Sequence, residues 1–194
     1  MTIANNPLVL ASQSVYRRAL LERLALKFEC ISPHIDEKRL DNENIADMVM
    51  RLGREKASLV AKQHPHAWII ASDQSADFNN QALGKPGNFN KALDQLMLMQ
   101  GKRVTFYTSL VLYTPEQRWE HLDETHVYFR QLSKAQLSHY LQREEPYQCA
   151  GAFKSEGLGA CLFDRIENQD PSAIIGLPMI QLAHWLTDLG RLLR

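Results

Sequence analysis

The chain has 194 residues, 45% of them hydrophobic and 23% charged, which is ordinary for one globular domain and too apolar for a disordered chain. Its 22 Lys and Arg balance 22 Asp and Glu, so the net charge is zero and the long-range field that draws in nucleic acid or an anionic membrane is missing. A nucleic-acid-binding module is therefore disfavoured, and any anion site must be local. Cys30, Cys149 and Cys161 form no C-x-x-C pair and read as reduced thiols acting as small buried hydrophobes. Met1 to Pro7 is polar and the apolar run after it is short, so no signal peptide or membrane span is expected and the location is expected to be cytoplasmic.

In chain order, Leu8 to Ala11 reads as a short buried strand, followed by Ser12 and Ser14 as caps for a helix bearing Ala19, Leu20 and Leu24. Phe28 to Ile31 fits a second strand. The next helix spans Asn44 to Lys62, capped by Asn42 or Asn44, with Ile45, Met48, Val49, Leu52, Leu59 and Val60 on one face. Trp68 to Ala71 is apolar without alternation, as expected of a strand covered on both faces. Asn79-Asn80 marks a turn, Gly84 to Gly87 a constrained loop, and Lys91 to Gln100 a helix closed by Gly101. Val104 to Tyr113 and Trp119 to Arg130 read as long strands joined near Pro115. A capping box at Ser133 opens a helix that stops before Pro146, and Gly151, Gly157 and Gly159 surround a loop at Lys154-Ser155-Glu156. Asp170-Pro171 is a cap and first-turn pair. Gly176-Leu177-Pro178 then precedes a last helix bearing Ile180, Leu182, Ala183, Leu186 and Leu189. Strands interleaved with helices predict a single α/β domain over 1–194, built on a mixed sheet with flanking helices.

Several side chains sit where they need partners. Arg17 and Arg18 occupy the first turn of a helix, the end that favours anions, and with Ser12 and Ser14 they make a candidate phosphate site; two solvated arginines are the alternative. Lys56 follows Leu52 by four residues and precedes Val60 by four, which puts an ammonium on the apolar stripe. It must snorkel to water or meet an anion, either a phosphate oxygen or a carboxylate such as Glu37. Asp73 ends a buried strand, where ligand sites in α/β sheets gather, although an Asp capping a turn fits the same place. Asp36-Glu37 reads as loop, and Lys85 is held between Gly84 and Pro86. Zincin, P-loop and α/β-hydrolase motifs are absent.

Taken together, Leu10 to Arg18 (Leu-Ala-Ser-x-Ser-x-x-Arg-Arg), Asp36-Glu37, Glu55-Lys56-Ala57, Ser72-Asp73-Gln74, Gly84-Lys85-Pro86, Lys154 to Gly157 and Gly176-Leu177-Pro178 resemble the Maf family of nucleotide pyrophosphatases over nearly the whole chain. Ser72-Asp73-Gln74 and Cys149 to Gly157 look most like its 7-methyl-GTP branch. The resemblance implies an α/β, ITPase-like fold with a mixed twisted sheet and two lobes around a central cleft, usually as a homodimer. It also implies hydrolysis of a nucleoside triphosphate between the α and β phosphorus atoms with a divalent metal, Mg²⁺ or Mn²⁺. By that resemblance Asp73 is the proton acceptor and a metal ligand with Glu37; Ser12, Arg17, Lys56 and Lys85 bind phosphate; Tyr16, Gln74 and Glu156 select the base. For Glu156, a loop carboxylate paired with Lys154 is the alternative. Val15-Tyr16 replaces the branch's usual Pro-Trp, and Thr108-Ser109 stands where Thr-Gly is common. A UTP/TTP pyrophosphatase of the same family, or a nucleotide-binding regulator of cell division, are the rival functions.

Overall fold

A computed structural model describes residues 6–193, and they form two compact units. The first comprises residues 6–73, 108–123 and 170–193; the second comprises Gln74–Tyr107 and Glu124–Gln169.

In the first unit, β1 (Leu8–Leu10) runs parallel to β2 (Glu29–Cys30) on one side and to β3 (Trp68–Ala71) on the other. On its far side β3 pairs antiparallel with β6 (Arg103–Tyr113), in the register Ile69 to Tyr113, Ile70 to Leu112 and Ala71 to Val111. Side chains alternate across a strand, and here both faces are covered. Leu8, Leu10, Trp68, Ile70, Leu110 and Leu112 pack with Leu20 and Leu21 of α1 (Val15–Glu22) and with Leu182 and Leu186 of α5 (Met179–Asp188). Val9, Ile69, Ala71 and Val111 pack with Ala57 and Val60 of α2 (Ile45–Gln63). Burial on both faces is why β1 and β3 lack polar alternation.

The caps are local and specific. The Ser14 side chain accepts the Arg17 amide, and Asn44, not Asn42, caps α2 by accepting from Asp47. Asp170 is buried and accepts from the Ser172 and Ile180 amides, which ties the short 3₁₀ turn Ala173–Ile175 to the start of α5. Ile180 and Leu59, expected on apolar faces, are 48% exposed and half-buried respectively.

The second unit holds the hairpin of β4 (Gln74–Phe78) and β5 (Gln81–Leu83), with α3 (Phe89–Met99) and α4 (Lys134–Glu144). The later part of β7 (Arg118–Phe129) pairs antiparallel with β8 (Phe163–Glu167). Asn79 and Asn80 take positive φ (52° and 63°) in the two-residue loop that joins β4 to β5, as a hairpin turn requires. Phe106, Phe129, Phe153 and Phe163 meet edge to face with centroids 4.8–5.8 Å apart. The cysteine expectation fails in part: Cys30 and Cys161 are exposed and Cys149 is half-buried, so none is a fully buried hydrophobe.

Candidate active site

The first unit gathers one connected set of polar groups at the ends of β1 and β3. Lys56 lies on the stripe of α2 that faces the sheet, with its side chain 8% exposed. It does not snorkel. Its ammonium donates to Asp73 Oδ1 at 2.5 Å and reaches Glu37 Oε1 at 2.7 Å. Asp73 is just past the end of β3 and its side chain is 11% exposed, whereas Glu37, on the irregular segment before α2, is 61% exposed. Two carboxylates thus converge on one buried cation, a geometry that offsets the cost of taking Lys56 and Asp73 out of water.

The segment carrying Glu37 is anchored by Arg51, five residues before Lys56 on α2. Arg51 donates to the Lys38 carbonyl at 3.0 Å, to both oxygens of Glu43 at 2.6 and 2.8 Å, and to Glu55 at 3.2 Å. The Arg51 hydrogen bonds hold the Glu43 carboxyl down at about 2, below the ordinary 4.5. A depressed folded-state value means that the clamp stabilises fully above pH 4.5 and is lost as pH falls through about 2. The difference in urea unfolding free energy between the native chain and Glu43→Gln should therefore be constant near neutrality and shrink toward zero between pH 4.5 and 2.

Arg17 and Ser12 complete the set. Ser12 is buried at the end of β1, and its Oγ accepts the Ser14 amide at 3.1 Å and lies 3.5 Å from Arg17 Nη1. Arg17 Nε donates to the Gly176 carbonyl at 2.8 Å, and Ser72 Oγ donates to the same oxygen at 2.7 Å. Burial pushes the Arg17 guanidinium below its usual range, and the negative charges of Asp73 and Glu37 act in the opposite sense. Gly176 has φ of 127°, and a Cβ there would stand 3.4 Å from Arg17 Nε, so glycine suits both the turn and the contact. Arg18, by contrast, pairs with Glu22 on the exposed side of α1 and is outside the set.

Tyr16 is half-buried on α1. The remaining candidates belong to the second unit: Gln74 opens β4, Lys85 is exposed in the loop after β5, and Glu156 is exposed between two 3₁₀ turns. Glu156 accepts from Ser155 at 3.2 Å. Lys154 instead meets Glu144, 3.0 Å away, so the alternative for Glu156, a loop carboxylate paired with Lys154, is not what the structure has. Arg51 went unremarked in the sequence, while Ser109 and Gly176 stood there only as parts of a pattern, with no contact to Asp73 or Arg17 assigned to them. The interior helix glycine Gly53 and the Glu43-x₇-Arg51 spacing were further local signals.

Residues 7–189 match the family model described as Maf-like protein. The chain belongs to the Maf family. Among Maf-family relatives, the 7-methyl-GTP pyrophosphatase of Xanthomonas axonopodis pv. citri is 48% identical over 183 residues, covering 94% of this chain and 96% of that protein. The 7-methyl-GTP pyrophosphatase of Hydrogenovibrio crunogenus is 49% identical over 181 residues, covering 92% and 90%. A solved HAM1 protein from Coxiella burnetii aligns over 94% of this chain and 99% of its own at 14% identity, with a TM-score of 0.47, a likeness that carries no weight for function. No helix of the described residues is long and apolar enough to cross a membrane.

Proposed function

We propose that this chain hydrolyses 7-methyl-GTP to 7-methyl-GMP and pyrophosphate. The observation that carries the reading is the near-half identity, over nine-tenths of the chain, to relatives bearing that activity's name. It is supported by the convergence of Asp73, Glu37, Lys56, Arg17 and Ser12 in one unit. In the proposed reaction Asp73 takes a proton from water as the water oxygen bonds to the α-phosphorus. The bond from that phosphorus to the α–β bridging oxygen breaks, and pyrophosphate leaves with the electron pair. Lys56 engages Asp73 Oδ1, which leaves Oδ2 for the proton. Arg17 and Lys85 offset the charge of the phosphate chain, and Ser12 holds Arg17 in place.

Two carboxylates drawn to one point fit Mg²⁺ or Mn²⁺, which take one or two protein carboxylates and complete their shell with phosphate oxygens and water. Among the described residues no group of three or more His, Cys, Asp and Glu side chains is poised for a metal, so the donor set is oxygen-poor until substrate adds its own. When bound by Glu37 and Asp73, such a cation supplies charge stabilisation at the α-phosphate and lowers the repulsion facing the attacking oxygen. Glu37→Gln is expected to raise the metal concentration needed for half activity at least ~10-fold, a loss typical even of outer-shell partners. Because Glu37 is mostly exposed, its thermal midpoint should hardly move. A metal titration of activity beside a melting curve checks both.

For the base, Glu156 accepts the N1–H and 2-amino donors of guanine, Gln74 assists, and Tyr16 stacks on a ring made cationic by 7-methylation, a gain of ~0.5–2 kcal/mol. Pyrophosphate release with 7-methyl-GTP, GTP, UTP and TTP in competition tests this. The 7-methyl compound should be consumed first, a preference for UTP or TTP would overturn the substrate, and nucleotide binding without turnover would point to a regulator. A homodimer located in the cytoplasm, acting on free nucleotide and not on nucleic acid, belongs to the same proposal.

A further inference from the structure

Ser109 lies on β6 within the first unit, and no part of it reaches solvent. The register of β3 on β6 pairs residues whose numbers sum to a constant, and Asp73 with Ser109 continues that series two residues beyond the end of β3. Half of the expected rung is present: the Ser109 amide donates to the Asp73 carbonyl at 2.9 Å. The other half has been handed to a side chain. The Asp73 amide donates to Ser109 Oγ at 2.9 Å, and that hydroxyl lies 3.4 Å from the Asp73 carbonyl as a donor. Replacing a strand carbonyl with a hydroxyl on Cβ lets the main chain at Asp73 leave ladder geometry without stranding a buried N–H, which is otherwise costly.

The hydroxyl needs room, and α2 supplies it. A Cβ on Gly53 would stand 2.6 Å from Ser109 Oγ and 3.2 Å from Ser109 Cβ. Glycine inside a 19-residue helix is otherwise destabilising, so this close approach accounts for it. We propose that Ser109 is a positioning residue for Asp73, holding its main chain through the hydroxyl, and that Gly53 is the gap in α2 that admits that hydroxyl. The inference rests on Asp73 being the proton acceptor.

The test uses the full chain at a temperature where melting curves show every variant folded. Ser109→Ala should lower kcat about tenfold, the rate equivalent of one neutral hydrogen bond, with KM for 7-methyl-GTP unchanged. Gly53→Ala should lower kcat similarly while Ser109 is present, yet cost less than about twofold more when added to Ser109→Gly, because two residues in contact are not additive. Unchanged kcat in folded Ser109→Ala, or an equal effect of Gly53→Ala in both backgrounds, would overturn the proposal. Asp73→Asn separates the two readings. If it is inactive while Ser109→Ala is normal, this inference alone fails; if it turns over normally, the role of Asp73 itself fails.

Discussion

Asp73→Asn should lower turnover by at least ~10², the usual size of a general-base effect, while nucleotide still binds. The substitution keeps the side chain's shape and leaves the main-chain contacts of Asp73 with Ser109 in place, so the strand end should not move. It removes the negative charge that accepts the water proton. It also leaves the Lys56 ammonium facing a neutral amide, with only the exposed Glu37 as counter-charge. Some stability must therefore go with the activity. Single-turnover pyrophosphate release at saturating nucleotide separates the chemical step from binding, and near-normal turnover in a folded Asp73→Asn protein would sink the assignment.

Lys56→Met is the second large effect. Methionine keeps an unbranched apolar stem on the inner stripe of α2 and ends one atom short of the ammonium, so packing is largely spared. What disappears is the cation between two carboxylates, one of them buried. Breaking a buried pair by removing one partner costs about 3–5 kcal/mol because the other charge is left uncompensated. In a chain of this size that corresponds to a fall in thermal midpoint of about 10 °C. Activity should fall ~10²-fold as well, the order seen when one preorganised charge-stabilising donor is removed. The double variant Asp73→Asn with Lys56→Met should be more stable than the two single losses added together, since the pair is broken only once. A double-mutant cycle on melting curves measures this.

The parts that local patterning governs were legible in the sequence. A continuous apolar run located β3, a capping box located α4, and paired asparagines located the turn at Asn79-Asn80. Asp73 and Lys56 also stood out, since a carboxylate at a strand end and an ammonium on an apolar stripe both need partners. What brings these groups together was not legible. The Asp73–Ser109 pair depends on strand register, and the Arg17–Gly176 contact spans 159 residues. The strands β4, β5 and β8 were missed because they are short or exposed and owe their conformation to ladder partners, not to alternation: β8 is exposed over Asp164 to Glu167 and is held by β7. Exposure of Cys30 and Cys161 escaped for a similar reason, since residue type carries only an average burial.

The Gly176 carbonyl, shared by Arg17 and Ser72, ties together parts of the chain that lie 159 and 104 residues apart. Neither donor meets this acceptor through local structure, so α1 and the end of β3 depend on one remote turn for their alignment. A change that displaced the Gly176 turn would release both donors at once, and the placement of Arg17 therefore reports on the integrity of the whole first unit.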